Sequence, residues 1–227
     1  HLCDCCLFEF LKDYQIFEEI MKNKTLCSIS FVIVIVYFLL SSLYFLPFTV
    51  PYKLVYPLAF LTICALRLSS WPIVLAMFFS ALGDYMGVCN NFWGQMGSFA
   101  LAHIAYVLYF YRACGGKVVT KGMNWKSGIV VLYGVVASVF VLPEVQGVLK
   151  LGVAIYMLLI MTMCILAWRQ KNPYYAIGAW LFVLSDTILA WNKFVFHIEN
   201  ASIFIMVPYY LGQLVLFILS IRSRPRN

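Results

Sequence analysis

Eight runs of apolar residues dominate the chain, separated by short stretches in which polar residues, proline, glycine and asparagine collect. The runs are Leu26–Phe45, Lys53–Leu66, Trp71–Val88, Phe92–Tyr111, Ser127–Leu142, Leu149–Trp168, Tyr174–Trp191 and Ile203–Ile221. They are continuous rather than alternating, and most approach the roughly 20 residues with which a helix crosses a bilayer. A membrane barrel would instead show segments of about ten residues with alternating polarity. The pattern therefore predicts an all-α fold, a polytopic bundle of eight transmembrane helices. The second and fifth runs are short, and Pro57 and Pro143 soften their ends. Residues 1–25 read as an N-terminal extension, 26–222 as the membrane domain and 223–227 as a basic tail. Within the extension, Met21-Lys22-Asn23-Lys24 followed by an apolar run has the look of a natural start.

Composition supports the same picture. Of 227 residues, 64% are apolar and 11% charged, and the mean hydropathy is +0.91. An ordinary soluble domain carries about 25% charged residues. A water-soluble globule of this size could not hide so much apolar surface, which excludes a soluble enzyme, a disordered chain and a disulfide scaffold. The net charge of +7 would suggest nucleic acid in a soluble protein. Here the basic residues lie in short loops, so the membrane surface accounts for them and no nucleic-acid partner is expected.

Those loops also orient the chain. With the N-terminus in the cytoplasm, thirteen of the sixteen Lys and Arg residues fall in inside segments, and only Lys53, Lys150 and Lys193 fall outside. The positive-inside rule then predicts both termini inside and an even number of spans. Trp71, Trp93, Trp125, Trp168 and Trp191 sit at run ends, where aromatic anchors meet the interface. The short loops and the start at Met21 favour a bacterial cell membrane.

Two acids break the apolar pattern. Asp84, in Ser80-Ala81-Leu82-Gly83-Asp84, and Asp186, in Phe182-Val183-Leu184-Ser185-Asp186, lie inside predicted helices. A carboxylate at bilayer depth costs roughly 2.5–3.5 kcal/mol even on insertion scales, so such a residue faces the bundle interior or a wet cavity. Asp84 lies seventeen residues past Arg67, and Asp186 fifteen past Lys171. At the helical rise both sit about 22–26 Å from the inner loops, hence at similar depth. Each is followed eight residues later by Phe, Phe92 and Phe194, and preceded at minus two by Leu. This hints at a four-plus-four duplication. Buried acids can simply join helices through hydrogen bonds. Two at matched depth, with no basic residue inside the bundle, favour an acid/base pair sharing a cavity.

Other polar side chains share helix faces. His103 and Tyr106 are three residues apart on the fourth run, with Phe99 one turn earlier, and Tyr210 and Gln213 repeat the spacing on the last. Ser185 adjoins Asp186. His103 sits about 10 Å deeper than Asp84 by helical rise, a gap that tilt or substrate would have to bridge. No G-x-S-x-G elbow, H-E-x-x-H or nucleotide-binding glycine pattern occurs. His1, Cys3, Cys5 and Cys6 match no zinc spacing, and His103 is the only intramembrane His. No metal and no cofactor are expected.

The stretch Gly83-Asp84-Tyr85-Met86, followed by Phe92, Gly94, Phe99, Ala102-His103 and Tyr106, resembles the first signature of the lysoplasmalogenase (YhhN-like) family. The stretch Gly178–Asp186, with Leu189 and Phe194, resembles its second, and Tyr210 with Gln213 resembles the polar pair of its last helix. The likeness covers Leu26–Arg222 and includes the eight-span layout. It implies a membrane hydrolase that cleaves the vinyl ether bond of a lysoplasmalogen, a lysophospholipid, to a fatty aldehyde and a glycerophospho-ethanolamine or -choline. Asp84 and Asp186 would be the catalytic pair, and His103, Tyr106, Ser185, Tyr210 and Gln213 would bind substrate. The family often places Lys just before the proline of its second helix. Here Tyr56 precedes Pro57 and the nearest basic residue is Lys53, to which contact with the lipid phosphate would fall. A proton- or cation-coupled transporter, or a lipid-binding multi-span protein, is the competing class for paired intramembrane acids. Membrane lipids are partners in every case, and oligomeric state is not legible.

Overall fold

The computed structural model describes residues 54–114 and 125–223, together with the single positions Ile29, Val32 and Val36. Residues 1–25, all of the predicted span Leu26–Phe45 but those three positions, Lys53 and residues 224–227 of the basic tail lie outside the described residues. The described chain is helical, with no strand. Its helices are α1 (Tyr56–Leu68), α2 (Trp71–Val88), α3 (Phe92–Ala113), α4 (Trp125–Val141), α5 (Val148–Trp168), α6 (Tyr174–Ala190) and α7 (Ala201–Arg222). A 3-10 turn over Leu142–Glu144 follows α4, and a π-helical turn over Trp191–Val195 continues α6.

Local chemistry fixes the boundaries. Pro57 and Pro72 stand in the first turns of α1 and α2, where a missing N–H costs nothing. Ser69 and Ser70 between them are extended, and Ser70 is the N-cap of α2, a position that usually has extended backbone. Asn90 adopts a left-handed conformation with φ of 56°, a conformation that Asn tolerates better than most residues. Asn91 then caps α3, its side-chain oxygen accepting from the Gly94 N–H at 2.9 Å. Pro143 shapes the turn that ends α4. Asn192 Oδ1, in the π turn, accepts from the Ile198 N–H at 2.8 Å and closes the link to α7.

Among the described residues, five helical segments are long and apolar enough to cross a membrane: Trp71–Val88, Trp125–Glu144, Val148–Trp168, Tyr174–Val195 and Ala201–Arg222. This is fewer than the seven predicted runs that fall there. α1 has only 13 residues. α3 has 22, but Gln95, Ser98, His103 and Arg112 dilute its apolar character. The outward surface is that of a membrane protein. Leu132, Val139, Leu151 and Leu158 are each 63–64% exposed, a surface that lipid covers and water would not tolerate.

α2 packs extensively on α3, and α6 on α7. α5 contacts α3, α4 and α6, while α7 returns to α1 and α2. The α6–α7 contact depends on small residues. A Cβ on Gly212 would lie 2.9 Å from the carbonyl oxygen of Gly178, so the two backbones touch there. The core between these helices is aromatic, with Tyr106, Tyr210, Phe110, Phe182 and Phe217 fully buried.

Candidate active site

α2 carries Asp84 and α6 carries Asp186, and both side chains turn into the bundle. Asp84 is 6% exposed, and the side chain of Asp186 is 13% exposed. The phenylalanines that follow the two acids by eight residues meet edge to face, with Phe92 and Phe194 ring centroids 5.6 Å apart. That contact sets the α2–α3 turn and the end of α6 at one level.

Asp186 is the more elaborately held of the two. The Tyr156 hydroxyl, from α5, donates to its Oδ2. His103 Nε2, from α3, approaches the same oxygen at 3.8 Å. The imidazole is itself fixed: Nδ1 lies 2.6 Å from the Phe99 carbonyl oxygen. A carbonyl only accepts, so Nδ1 carries the proton and Nε2 of the neutral ring is a lone pair. Nε2 is buried and has no hydrogen-bond partner among the described residues. The ring is gripped edge to face by Tyr156 at 5.2 Å and Phe182 at 4.9 Å. His103 and Asp186 thus face each other with room for one more proton between them.

A cavity of about 80 Å³ opens against this group, lined by α3, α4, α5, α6 and the π turn. Asp186, Tyr156 and Phe99 are in its wall, and most of the remainder is apolar, including Ala137, Val153 and Ile160. The polar exceptions besides Asp186 and Tyr156 are Gln95, Tyr133 and Thr187. The Tyr133 hydroxyl donates to Thr187 Oγ1 at 2.8 Å, bracing α4 against α6.

Asp84 does not line that cavity. The Tyr209 hydroxyl, from α7, donates to its Oδ2 at 3.1 Å. Phe99 borders both places. Its ring is in the cavity wall, faces Tyr209 at 5.7 Å, and lies 3.0 Å from where a Gly83 Cβ would be. The acids are therefore linked through an aromatic cluster of Phe99, Phe182 and Tyr209, rather than by a shared opening.

The remaining residues singled out from the sequence divide in two. His103 faces Asp186 but does not itself line the cavity. Tyr106, Ser185, Tyr210 and Gln213 give their polar atoms to protein partners, and none lines the cavity. The Tyr106 hydroxyl donates to Gln213 Oε1 at 2.5 Å, and Gln213 Nε2 donates to Ser80 Oγ at 2.9 Å. This chain ties α3, α7 and α2 together. Ser185 Oγ donates to the Ile205 carbonyl at 2.9 Å, next to the carbonyl of Phe204 that Pro208 leaves without its helical donor. Tyr210 donates to the Leu54 carbonyl at 2.6 Å. Lys53 lies outside the described residues. Among the described residues, no three His, Cys, Asp or Glu side chains gather to hold a metal ion.

Tyr156 and Tyr209 are the residues that sequence reasoning passes over. Both look like ordinary aromatic members of apolar helices. The available signal was weak: each is a hydroxyl at bilayer depth, where a polar atom must find a partner.

The fold and this site together define a helical membrane protein built around buried carboxyl groups and a small apolar chamber. The YhhN family model matches residues 41–221, and the chain belongs to the YhhN family. Among curated relatives, human lysoplasmalogenase TMEM86B is 33% identical over 151 residues, covering 65% of this chain and 62% of the human protein. Bovine lysoplasmalogenase TMEM86A is 26% identical over 171 residues, covering 69% of this chain and 68% of its own. Rat lysoplasmalogenase TMEM86B is 30% identical over 161 residues, covering 68% of this chain and 63% of its own. The chain thus spans a little under two thirds of the TMEM86B proteins it matches. No solved structure matches it.

Proposed function

We propose that this protein is a membrane hydrolase that opens the vinyl ether bond of lysoplasmalogens. The observation that carries the reading is Asp186 in the wall of a nearly apolar chamber, with the His103 lone pair facing it. Kinship with proteins named lysoplasmalogenase supports the choice of substrate. The products would be a fatty aldehyde and a glycerophospho-ethanolamine or -choline.

The chemistry asks for what the chamber offers. A vinyl ether resists base and yields to acid. Protonation of the β-carbon breaks the C=C π bond and leaves an oxocarbenium ion. Water adds to the α-carbon and loses a proton, and the hemiacetal collapses to aldehyde and alcohol. In that collapse its hydroxyl proton passes to the Asp186 carboxylate, and the His103 imidazolium returns a proton to the departing glycerol oxygen, restoring both groups. Tyr156 and His103 both address Oδ2 of Asp186, which leaves Oδ1 as the oxygen that gives its proton to the β-carbon. His103 Nε2, held as an acceptor by the Phe99 carbonyl, takes the proton of the attacking water. Asp84, on the other side of the aromatic cluster, supplies negative charge as the cation forms, with Tyr209 fixing its carboxyl. Tyr106, Ser185, Tyr210 and Gln213 then serve the substrate site through the helices they hold, and Lys53 is left as a candidate for the phosphate.

The same reading keeps the eight-span layout with both ends in the cytoplasm, supported by thirteen of sixteen basic residues on one side. The test is turnover of defined lipids by purified protein in detergent. A vinyl ether lysolipid should give aldehyde, while the saturated ether of equal length, which has no C=C bond to protonate, should not. Release of fatty acid from a lyso-ester, or coupled flux across a vesicle without covalent change, would point to another class.

A further inference from the structure

The chamber is too small for the substrate it would serve. Its volume of about 80 Å³ compares with an engineered apolar cavity of about 150 Å³ that takes one benzene ring. A few carbons fit, and a lipid tail does not. A second, larger hollow of about 360 Å³ lies between α4, the end of α5 and α6. It is lined by Trp168, Ile177, Trp180, Leu181 and Leu184, and Tyr133 is in the wall of both hollows. Ile177 and Leu184 are 50% and 46% exposed, so this groove opens to the outside of the bundle.

Its direction fits a tail that starts at the site. Along α6 the groove residues run from Leu184, two positions before Asp186, back to Ile177, nine positions before it. From Leu184 to Ile177 that is about 10.5 Å of helix, room for roughly eight methylenes with C–C bonds of about 1.5 Å. Tyr133 stands at the junction. Its hydroxyl reaches Thr187 at 2.8 Å, and its ring packs edge to face on Trp180 at 5.2 Å.

We infer that the substrate's single alkyl tail passes Tyr133 and lies in the groove between α4 and α6, while only its vinyl ether end enters the chamber with Asp186. The inference rests on the lysoplasmalogen reading for the identity of the occupant, and on the shared Tyr133 wall and the two volumes for its path. Tyr133 with Thr187 acts as the latch through which a lipid enters sideways from the bilayer.

The test separates binding from turnover. The probe is a saturated alkyl lysophosphocholine with a diazirine at the tail end, in vesicles of diacyl phosphatidylcholine. Photolysis should label the α6 peptide containing Ile177 and Trp180, and excess unlabelled alkyl lysolipid should reduce the labelling about tenfold. Labelling that such competition does not reduce means ordinary bilayer lipid in the groove, and crosslinking of the groove to residues 26–45 or to a second copy means a protein occupant; either overturns the inference. Independently, Ile177→Trp and Leu184→Trp should lower turnover of long-tailed vinyl ethers about tenfold relative to short-tailed ones, the scale on which apolar pockets discriminate. An unchanged chain-length profile in folded Trp variants also overturns it. Competed labelling without aldehyde production would retain the groove as a tail site and reject the hydrolase reading instead.

Discussion

The Tyr156 hydroxyl donates to Oδ2 of Asp186, the same oxygen that His103 Nε2 approaches. Tyr156 comes from the middle of α5, a helix whose other residues are mostly aliphatic or Met. A single ring hydroxyl in that helix therefore orients the acid on α6.

Removing that hydroxyl is the first prediction. Tyr156→Phe keeps the ring that packs on His103 and loses the donor. Hydrogen bonds to charged groups contribute about 1.5–3 kcal/mol, so kcat should fall roughly 10- to 100-fold, with KM changed far less. Steady-state kinetics on a vinyl ether lysolipid would show this. An unchanged kcat would mean that Asp186 is oriented without Tyr156.

His103 should matter through Nε2. His103→Gln retains a polar side chain but cannot serve as a comparable base, and general base catalysis contributes about 10²–10⁴-fold. Turnover of the purified variant should drop by an amount in that range. Near wild-type activity would remove His103 from the proton path and leave it a packing residue between Tyr156 and Phe182.

A third prediction concerns the polar tie of Tyr106, Gln213 and Ser80. Gln213→Leu leaves the buried Tyr106 hydroxyl without its acceptor. An orphaned buried polar group costs about 1–3 kcal/mol, which in a chain of this size lowers the melting temperature by roughly 2–12 °C. Thermal unfolding in detergent would register it. No loss of stability would show that Tyr106 finds another partner.

Gly212→Leu attacks the bundle elsewhere. Even a Cβ there would press on the carbonyl oxygen of Gly178 at 2.9 Å, and backbone cannot swing away as a side chain can. Overpacking costs about 1–3 kcal/mol, and α6 carries Asp186, so both melting temperature and turnover should fall together. Gly212→Ala should show the milder form of the same effect.

Much of this molecule was legible from the pattern of apolar runs. Trp71–Val88 was predicted and found with the same bounds, because Pro72 at its start and Asn90 after its end are strong local signals. The other described helices fall within a few residues of their predicted runs. Asp84 and Asp186 stood out because charge is so costly at bilayer depth. What the pattern could not convey was which groups face each other. Helical rise placed His103 too deep for Asp84, and the structure pairs it with Asp186 instead. Spacing along one helix gives faces and depths, whereas the rotation of one helix against another depends on contacts such as Gly178 with Gly212. Tyr156 and Tyr209 were hidden for a related reason: a lone Tyr in an apolar helix carries no spacing to read.

The central claim is that Asp186 delivers the proton that opens a vinyl ether. The most direct measurement is aldehyde release from a defined vinyl ether lysolipid by purified wild-type protein and by Asp186→Asn, with folding of both checked by thermal unfolding. The account predicts robust release by the wild type and a loss of at least about 10²-fold in the folded variant, the scale of general acid catalysis. Comparable aldehyde production from both would contradict it.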